Sequence, residues 1–186
     1  MRNLRVLLVI FLTLVLALSL SGLATAQPTG KLAEVIERGK LICGVNATLP
    51  GFGFIDADTG EVSGFDADLC RVFTAAIFGE VTEDNLEFVP LTAAERFTAL
   101  QSGQIDVLSR NTTWTFARDT DLLGEFAPVT FYDGQGLMVR ADLGVSSIEE
   151  LNGASFCSLT GTTTERNITD AMNVREFNFE LIPFNE

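Results

Sequence analysis

The segment SRNTTWTFARD, residues 109–119, gathers two arginines, three threonines and the only tryptophan of the chain. Fixed positive charge beside hydroxyls and an aromatic ring suits a small anion, above all a carboxylate. A planar guanidinium grips a carboxylate through two parallel hydrogen bonds, which a lysine cannot do. Arg118 is the leading candidate for that grip, and Arg110 is the next. An isolated arginine is ordinarily a surface charge. What distinguishes Arg118 is its company, Thr113 and Trp114, on a loop that follows a predicted strand.

Other chemistries lack their residues. There is no histidine, and Cys43, Cys70 and Cys157 are scattered, which argues against a zinc site and a histidine-based triad. An enzyme would have to work without its usual general base. The net charge is −13, and no basic run interrupts it, so nucleic acid and anionic membrane are not expected partners. No metal or cofactor is called for.

Residues 1–26 read as a secretory signal peptide. Arg2 and Arg5 form its basic start, Val6 to Leu20 its apolar run, and Ala24-Thr25-Ala26 a small-residue cleavage site before Gln27. The alternative is an uncleaved membrane anchor, because the apolar run approaches spanning length. Without this leader the chain has ten basic and 25 acidic residues, a net −15. Export to an oxidising compartment would allow one disulfide and one odd thiol. Three small buried cysteines are the other reading, and the sequence leaves both open.

The elements that must position the arginines alternate between strand and helix. Leu32, Val35 and Ile36 have helical spacing ahead of Gly39. Residues 41–45, 86–91 and 105–109 read as apolar strands. Between the first two, Leu69, Val72, Phe73, Ala76 and Ile77 form a helical stripe closed by Gly79. Between the last two, Thr92 and Glu95 form a capping box for a helix ending at Gly103. A second series follows: a strand at 136–140, a short helix capped by Ser146 and Glu149, a strand at 155–159, a helix capped by Thr162 and Glu165, and a strand at 177–182. This alternation predicts an α/β fold with mainly parallel sheets. Ligands of such sheets bind beyond the strands' carboxyl ends, near helix N-termini. Four loops answer that description: 46–53, 90–96, 109–118 and 160–165.

The motifs GFDADLCRVFTAAIFG, FVPLTAAERFTALQSGQIDVLSRNTTWTFARD, YDGQG and GTTTE resemble those of periplasmic amino-acid-binding proteins of polar amino-acid ABC transporters, solute-binding protein family 3. The likeness is strongest to the general L-amino-acid branch and covers nearly all of residues 31–186. It implies a type II periplasmic-binding-protein-like fold of two α/β lobes, residues 27–135 and 136–186, with a ligand cleft between them. The implied ligand is a free L-amino acid, the implied partner a membrane permease, and the implied state a monomer in the periplasm. By the same likeness, Arg118 holds the ligand α-carboxylate, with Thr113, Asn111, Thr162 and Thr163 around it. Leu49 and Phe52 flank the ligand, and Trp114 lies at or beside the cleft. Arg96 either meets a side-chain carboxylate or is a surface arginine beside a helix cap. The resemblance puts the partner of the ligand α-ammonium, and the return to the first lobe, beyond Glu186. The sequence is therefore expected to be the front of a longer protein with its second lobe incomplete. Two rivals are an enzyme on this scaffold, using Glu165 or Asp133, and a sensory ectodomain that keeps the leader as an anchor.

Overall fold

Strand β1, Leu41–Val45, is buried along almost its whole length, and the first sheet is built around it. In the computed structural model of the chain, which describes residues 29–122 and 124–185, β1 has a parallel neighbour on each side. The proposed leader, with its cleavage site at Ala26, lies outside the described residues. Strand β1 is followed by a small antiparallel sheet of β2 (Thr48–Leu49), β3 (Gly53–Ile55) and β4 (Val62–Ser63). Strand β5, Leu86–Pro90, pairs with all of β1, from Leu41↔Leu86 to Val45↔Pro90. Strand β6, Val107–Leu108, pairs on the other side through Cys43↔Val107 and Gly44↔Leu108. A parallel strand buried on both faces reads as continuous apolar sequence, as LICGV does. A Cβ at Gly44 would lie 2.6 Å from Ile105 Cδ1 and 2.8 Å from Leu91 Cδ1, so those side-chain ends would have to shift to admit one.

Helix α1, Lys31–Arg38, buries Val35 and ends before Gly39, whose φ is +73°. Leu32 and Ile36, expected on its inner face, are exposed. Helix α2, Phe65–Phe78, departs further from expectation. Its buried face is Asp66, Ala67, Cys70 and Thr74, whereas Val72, Phe73 and Ala76 of the predicted stripe are exposed. The reason is covalent as well as steric. Cys70 is disulfide-bonded to Cys43 at the centre of β1, and both residues are fully buried. Small side chains on either side of Cys70 let the helix approach the sheet, and Thr74 satisfies its hydroxyl on the Cys70 carbonyl at 2.9 Å. The αL cap at Gly79 is as expected.

Helix α3, Arg96–Gln101, connects β5 to β6, and helix α4, Phe116–Asp121, follows β6. Further along, β7 (Ser155–Leu159) and β8 (Glu180–Phe184) form a second parallel pair, joined by helix α5 (Thr163–Val174). Leu151, Phe156, Ile168 and Met172 make its core, with Phe177, Phe179 and Leu181 packed against them. The alternating face read at 177–182 is therefore real, although the ladder begins at Glu180. Two expectations fail here. Residues 136–140 are extended but not a strand, because no neighbour among the described residues takes up their hydrogen bonds, and Met138 is fully exposed. The capping box falls one residue later than predicted, on Ser147 and Glu150, and opens the 3₁₀ turn Ile148–Leu151.

The pairing of Cys43 with Cys70 leaves Cys157 as the one free thiol, and it is exposed. Thiol titration of the denatured, unreduced protein should therefore count one thiol per chain. Replacing both Cys43 and Cys70 by alanine opens a loop of sequence separation 27. This should lower the unfolding free energy by about 3–4 kcal/mol in chemical denaturation. A count of three thiols would refute the pairing.

Candidate functional site

Three loops leave the carboxyl ends of β5, β6 and β7, and each delivers polar groups to one place. In the first, Thr92 and Glu95 bond reciprocally: Glu95 N–H donates to Thr92 Oγ1 at 3.3 Å, and Thr92 N–H to Glu95 Oε2 at 3.2 Å. The Thr92 hydroxyl, donating to Glu95 Oε2 at 2.7 Å, and then the Thr92 N–H hold the Glu95 carboxyl below the usual carboxylate range. Regular helix begins only after this turn, at Arg96. Arg96 is only 2% exposed, so it is not the surface arginine that one reading of the sequence allowed. Its guanidinium donates to the carbonyls of Asn111 at 3.1 Å and Gly161 at 3.2 Å. Its Nε is buried with no hydrogen-bond partner among the described residues.

The second loop is the segment 109–118. Arg110 is buried and donates to the Leu91 carbonyl and, at 3.3 Å, to Asn111 Oδ1. The same oxygen accepts from Asn46 Nδ2 at 3.1 Å, which ties this loop to the one after β1. Thr115 caps α4 by accepting from Arg118 N–H at 3.3 Å. From the first turn of α4, the Arg118 guanidinium donates to the Thr113 carbonyl at 2.8 Å and the Gly161 carbonyl at 3.3 Å. The guanidinium carbons of Arg96 and Arg118 lie 5.2 and 5.1 Å from the centre of one ring, that of Phe97.

The third loop, 160–162, supplies the carbonyl that both arginines use. Gly161 has φ +76°, and a Cβ there would come within 3.2 Å of Ala94 Cα. Its N–H donates to Glu165 Oε2 at 2.9 Å. Thr162 accepts from Glu165 N–H at 3.1 Å, so the predicted cap of α5 forms, with the glutamate reaching Gly161 instead of Thr162. The Thr162 hydroxyl itself donates to the Leu159 carbonyl at 2.7 Å. Thr163 Oγ1 meets Thr113 Oγ1 at 3.1 Å.

The electrostatics follow from this crowding. Burial first, then the Arg118 and Arg110 charges, push the Arg96 guanidinium down to about 9. Burial, then the Arg166 charge, lowers Arg118. The buried carboxyl of Asp66 is raised by desolvation, and the Arg110 charge acts in the opposite direction. Arg96 and Arg118 thus spend their donors on backbone carbonyls. A cationic cluster of this kind can take an anion.

Of the residues singled out in the sequence, Arg96, Asn111, Thr113, Arg118, Thr162 and Thr163 converge around Gly161. Leu49 ends β2, and Phe52 lies in the turn to β3. Phe52 is packed edge-on against Phe65 and Phe131, with ring centres at 6.3 and 4.9 Å. Trp114 is 49% exposed and stacks on Phe126. Residue types and spacing assign no role to the Gly161 carbonyl and none to Arg166. For Gly161 the available signal was a lone glycine between a strand end and a helix cap.

A model of the bacterial extracellular solute-binding proteins, family 3, matches residues 41–181. The general L-amino acid-binding periplasmic protein AapJ of Rhizobium johnstonii is 48% identical over 161 residues, covering 87% of this chain and 46% of that protein. The glutamate/glutamine/aspartate/asparagine-binding protein BztA of Rhodobacter capsulatus is 49% identical over 160 residues, 86% of this chain and 46% of that protein. Among solved structures, an ABC transporter periplasmic binding protein from Brucella ovis with glutathione bound has a TM-score of 0.77. It is 46% identical and covers 86% of this chain and 49% of that chain. The chain spans about half the length of the curated relatives it matches.

The approach of Gly161 to Ala94 can be tested against a glycine in the same backbone conformation. Gly103 has φ +75° and nothing within 4 Å of its would-be Cβ. An alanine at either position should cost about 1–2 kcal/mol for its left-handed backbone. Gly161→Ala should lose more than Gly103→Ala in thermal unfolding, because it must also push two loops apart. Equal losses would count against the close approach.

Proposed function

Because the chain belongs to the bacterial extracellular solute-binding proteins, family 3, we propose that it binds a free L-amino acid and delivers it to an ABC-transporter permease. Its fold is that of the type II periplasmic binding proteins. On this reading, residues 27–135 form the first lobe and residues 136–186 begin the second. The protein acts as a monomer in the periplasm, where it arrives after cleavage of its leader behind Ala26. The observation that carries the reading is the pair Arg96 and Arg118, whose guanidiniums, among the described residues, donate to backbone carbonyls.

A ligand α-carboxylate would replace those weak acceptors on Arg118 with a bidentate, charge-assisted pair. Thr113 and Thr163 add hydroxyls, and Asn111 fixes the loop that carries them. The Thr162 hydroxyl is engaged in the cap of α5, so Thr162 contributes by presenting the helix N-terminus, where free N–H groups favour an anion. Leu49 and Phe52 offer an apolar wall. The relatives named for general L-amino acids and for glutamate, glutamine, aspartate and asparagine support a broad range that includes acidic side chains. The positive charge of Arg96 supports the same range. Closing the lobes would desolvate the carboxylate–guanidinium pair and strengthen it. The closed surface is then what the permease reads. Catalysis is not part of this reading: Glu165, one acid–base candidate, has its carboxylate on the Gly161 N–H as part of a helix cap.

Arg118→Ala should weaken amino-acid binding by about 2–5 kcal/mol. In calorimetry this is roughly a thirtyfold to several-thousandfold loss. Unchanged binding would remove Arg118 from the site and make Arg110 the next residue to test.

Trp114 provides a second measurement. Its half-exposed ring, next to Thr113, should change emission saturably as glutamate or glutamine is added. Sugars, and dicarboxylates without an amino group, should leave the emission unchanged. A response to those compounds equal to the amino-acid response would contradict the proposed ligand class.

A further inference from the structure

The Arg96 guanidinium makes two bonds that no ligand is needed to explain. One joins it to its own side of the site, at the Asn111 carbonyl (3.1 Å). The other reaches the loop between β7 and α5, at the Gly161 carbonyl (3.2 Å). That carbonyl is held in place from behind. Its residue donates N–H to Glu165 at 2.9 Å, adopts a glycine-favoured φ of +76° and approaches Ala94 too closely to accept a side chain easily. The Phe97 ring lies against the guanidinium, which is 2% exposed. A side chain so enclosed is set by the protein's own groups.

We infer that Arg96 is a positioning residue that latches the α5 loop to the β5 and β6 loops through the Gly161 carbonyl, in addition to any charge it offers a ligand. The inference rests on the amino-acid-binding reading only for its affinity measurement. Because the contact joins two protein groups, its energy belongs to closing the site and is common to every ligand that requires closure. Arg118 shares the same acceptor at 3.3 Å, so a ligand carboxylate that draws Arg118 away leaves Arg96 as the arginine still bound to the Gly161 carbonyl, beside the Thr113–Thr163 hydroxyl contact. The two arginines thereby divide their work, one toward the ligand and one toward the opposite loop.

The test compares the full-length protein with Arg96→Met and Arg96→Lys, using glutamate and glutamine as probes. The latch predicts that Arg96→Met weakens both amino acids by a similar factor, roughly tenfold to a hundredfold. Lysine keeps the charge but cannot bridge two carbonyls with a planar fork, so Arg96→Lys should recover little. In small-angle X-ray scattering without added ligand, Arg96→Met should show a larger radius of gyration than the unsubstituted protein. Loss of glutamate binding with glutamine unchanged would reduce Arg96 to a ligand contact and overturn the latch. Identical ligand-free radii would overturn it as well. Circular dichroism checks that Arg96→Met folds; if it does not, Arg96→Lys and Gly161→Ala carry the same comparison. If the unsubstituted protein binds neither amino acid, the binding reading fails, and the ligand-free scattering still decides the latch.

Discussion

Positive charge buried beside other positive charge governs this site. Arg96 and Arg118 sit over one phenylalanine ring and Arg110 is buried near them; burial first, then the Arg118 and Arg110 charges, lowers the tendency of Arg96 to hold its proton. The fall of Arg96 to about 9 corresponds to an unfavourable energy on the order of several kcal/mol. Carbonyl dipoles and the face of Phe97 offset part of it. The remainder is local. The chain as a whole is strongly acidic, but charges more than about 10 Å away are largely screened at ordinary salt. The site is thus a cationic cluster on an anionic protein.

Such a cluster persists only on a rigid support, and the first sheet supplies one. The buried disulfide fixes α2 against β1, Gly44 admits Ile105 and Leu91 from the neighbouring layer, and Asp106 pairs with Arg38 while accepting from Ile42 N–H at 2.9 Å. Each arginine then starts from a short, fixed connection. Arg96 follows the Thr92–Glu95 turn, Arg110 directly follows β6, and Arg118 lies one turn into a capped helix. Long side chains anchored so close to the sheet lose less freedom in meeting than they would on mobile loops.

How much of this could be read from the sequence depended on the range of the interaction. Strands β1, β5 and β7 were legible because continuous apolar runs between glycines have few other uses. The cap at Thr162, and the left-handed glycines at 39, 79 and 103, are local chemistry. The inner face of α2 was misread because Cys70 outweighs a broader apolar stripe, and a disulfide partner is a long-range fact. Residues 136–140 have the composition of a strand, but a strand needs a neighbour. At the site, arginine and threonine types marked the right loops. The Gly161 carbonyl was invisible because a backbone acceptor has no residue type to betray it.

The division between field and contact bears on ligand breadth under the proposed function. A site that selects by directional hydrogen bonds to a side chain rejects analogues lacking the matching group by large factors, because buried donors are left unpaired. Arg96 already has two carbonyl acceptors, and Arg110 has Leu91 and Asn111. Neither is stranded when a neutral side chain enters. What they still project is charge, which favours a carboxylate over an amide without a steric or hydrogen-bonding veto on the amide. Selectivity of that kind grades ligands instead of sorting them. The α-carboxylate contact at Arg118 is common to all amino acids and sets the class, while the surrounding field adjusts affinity within it. Breadth then follows from arginines that already donate to acceptors of the protein itself.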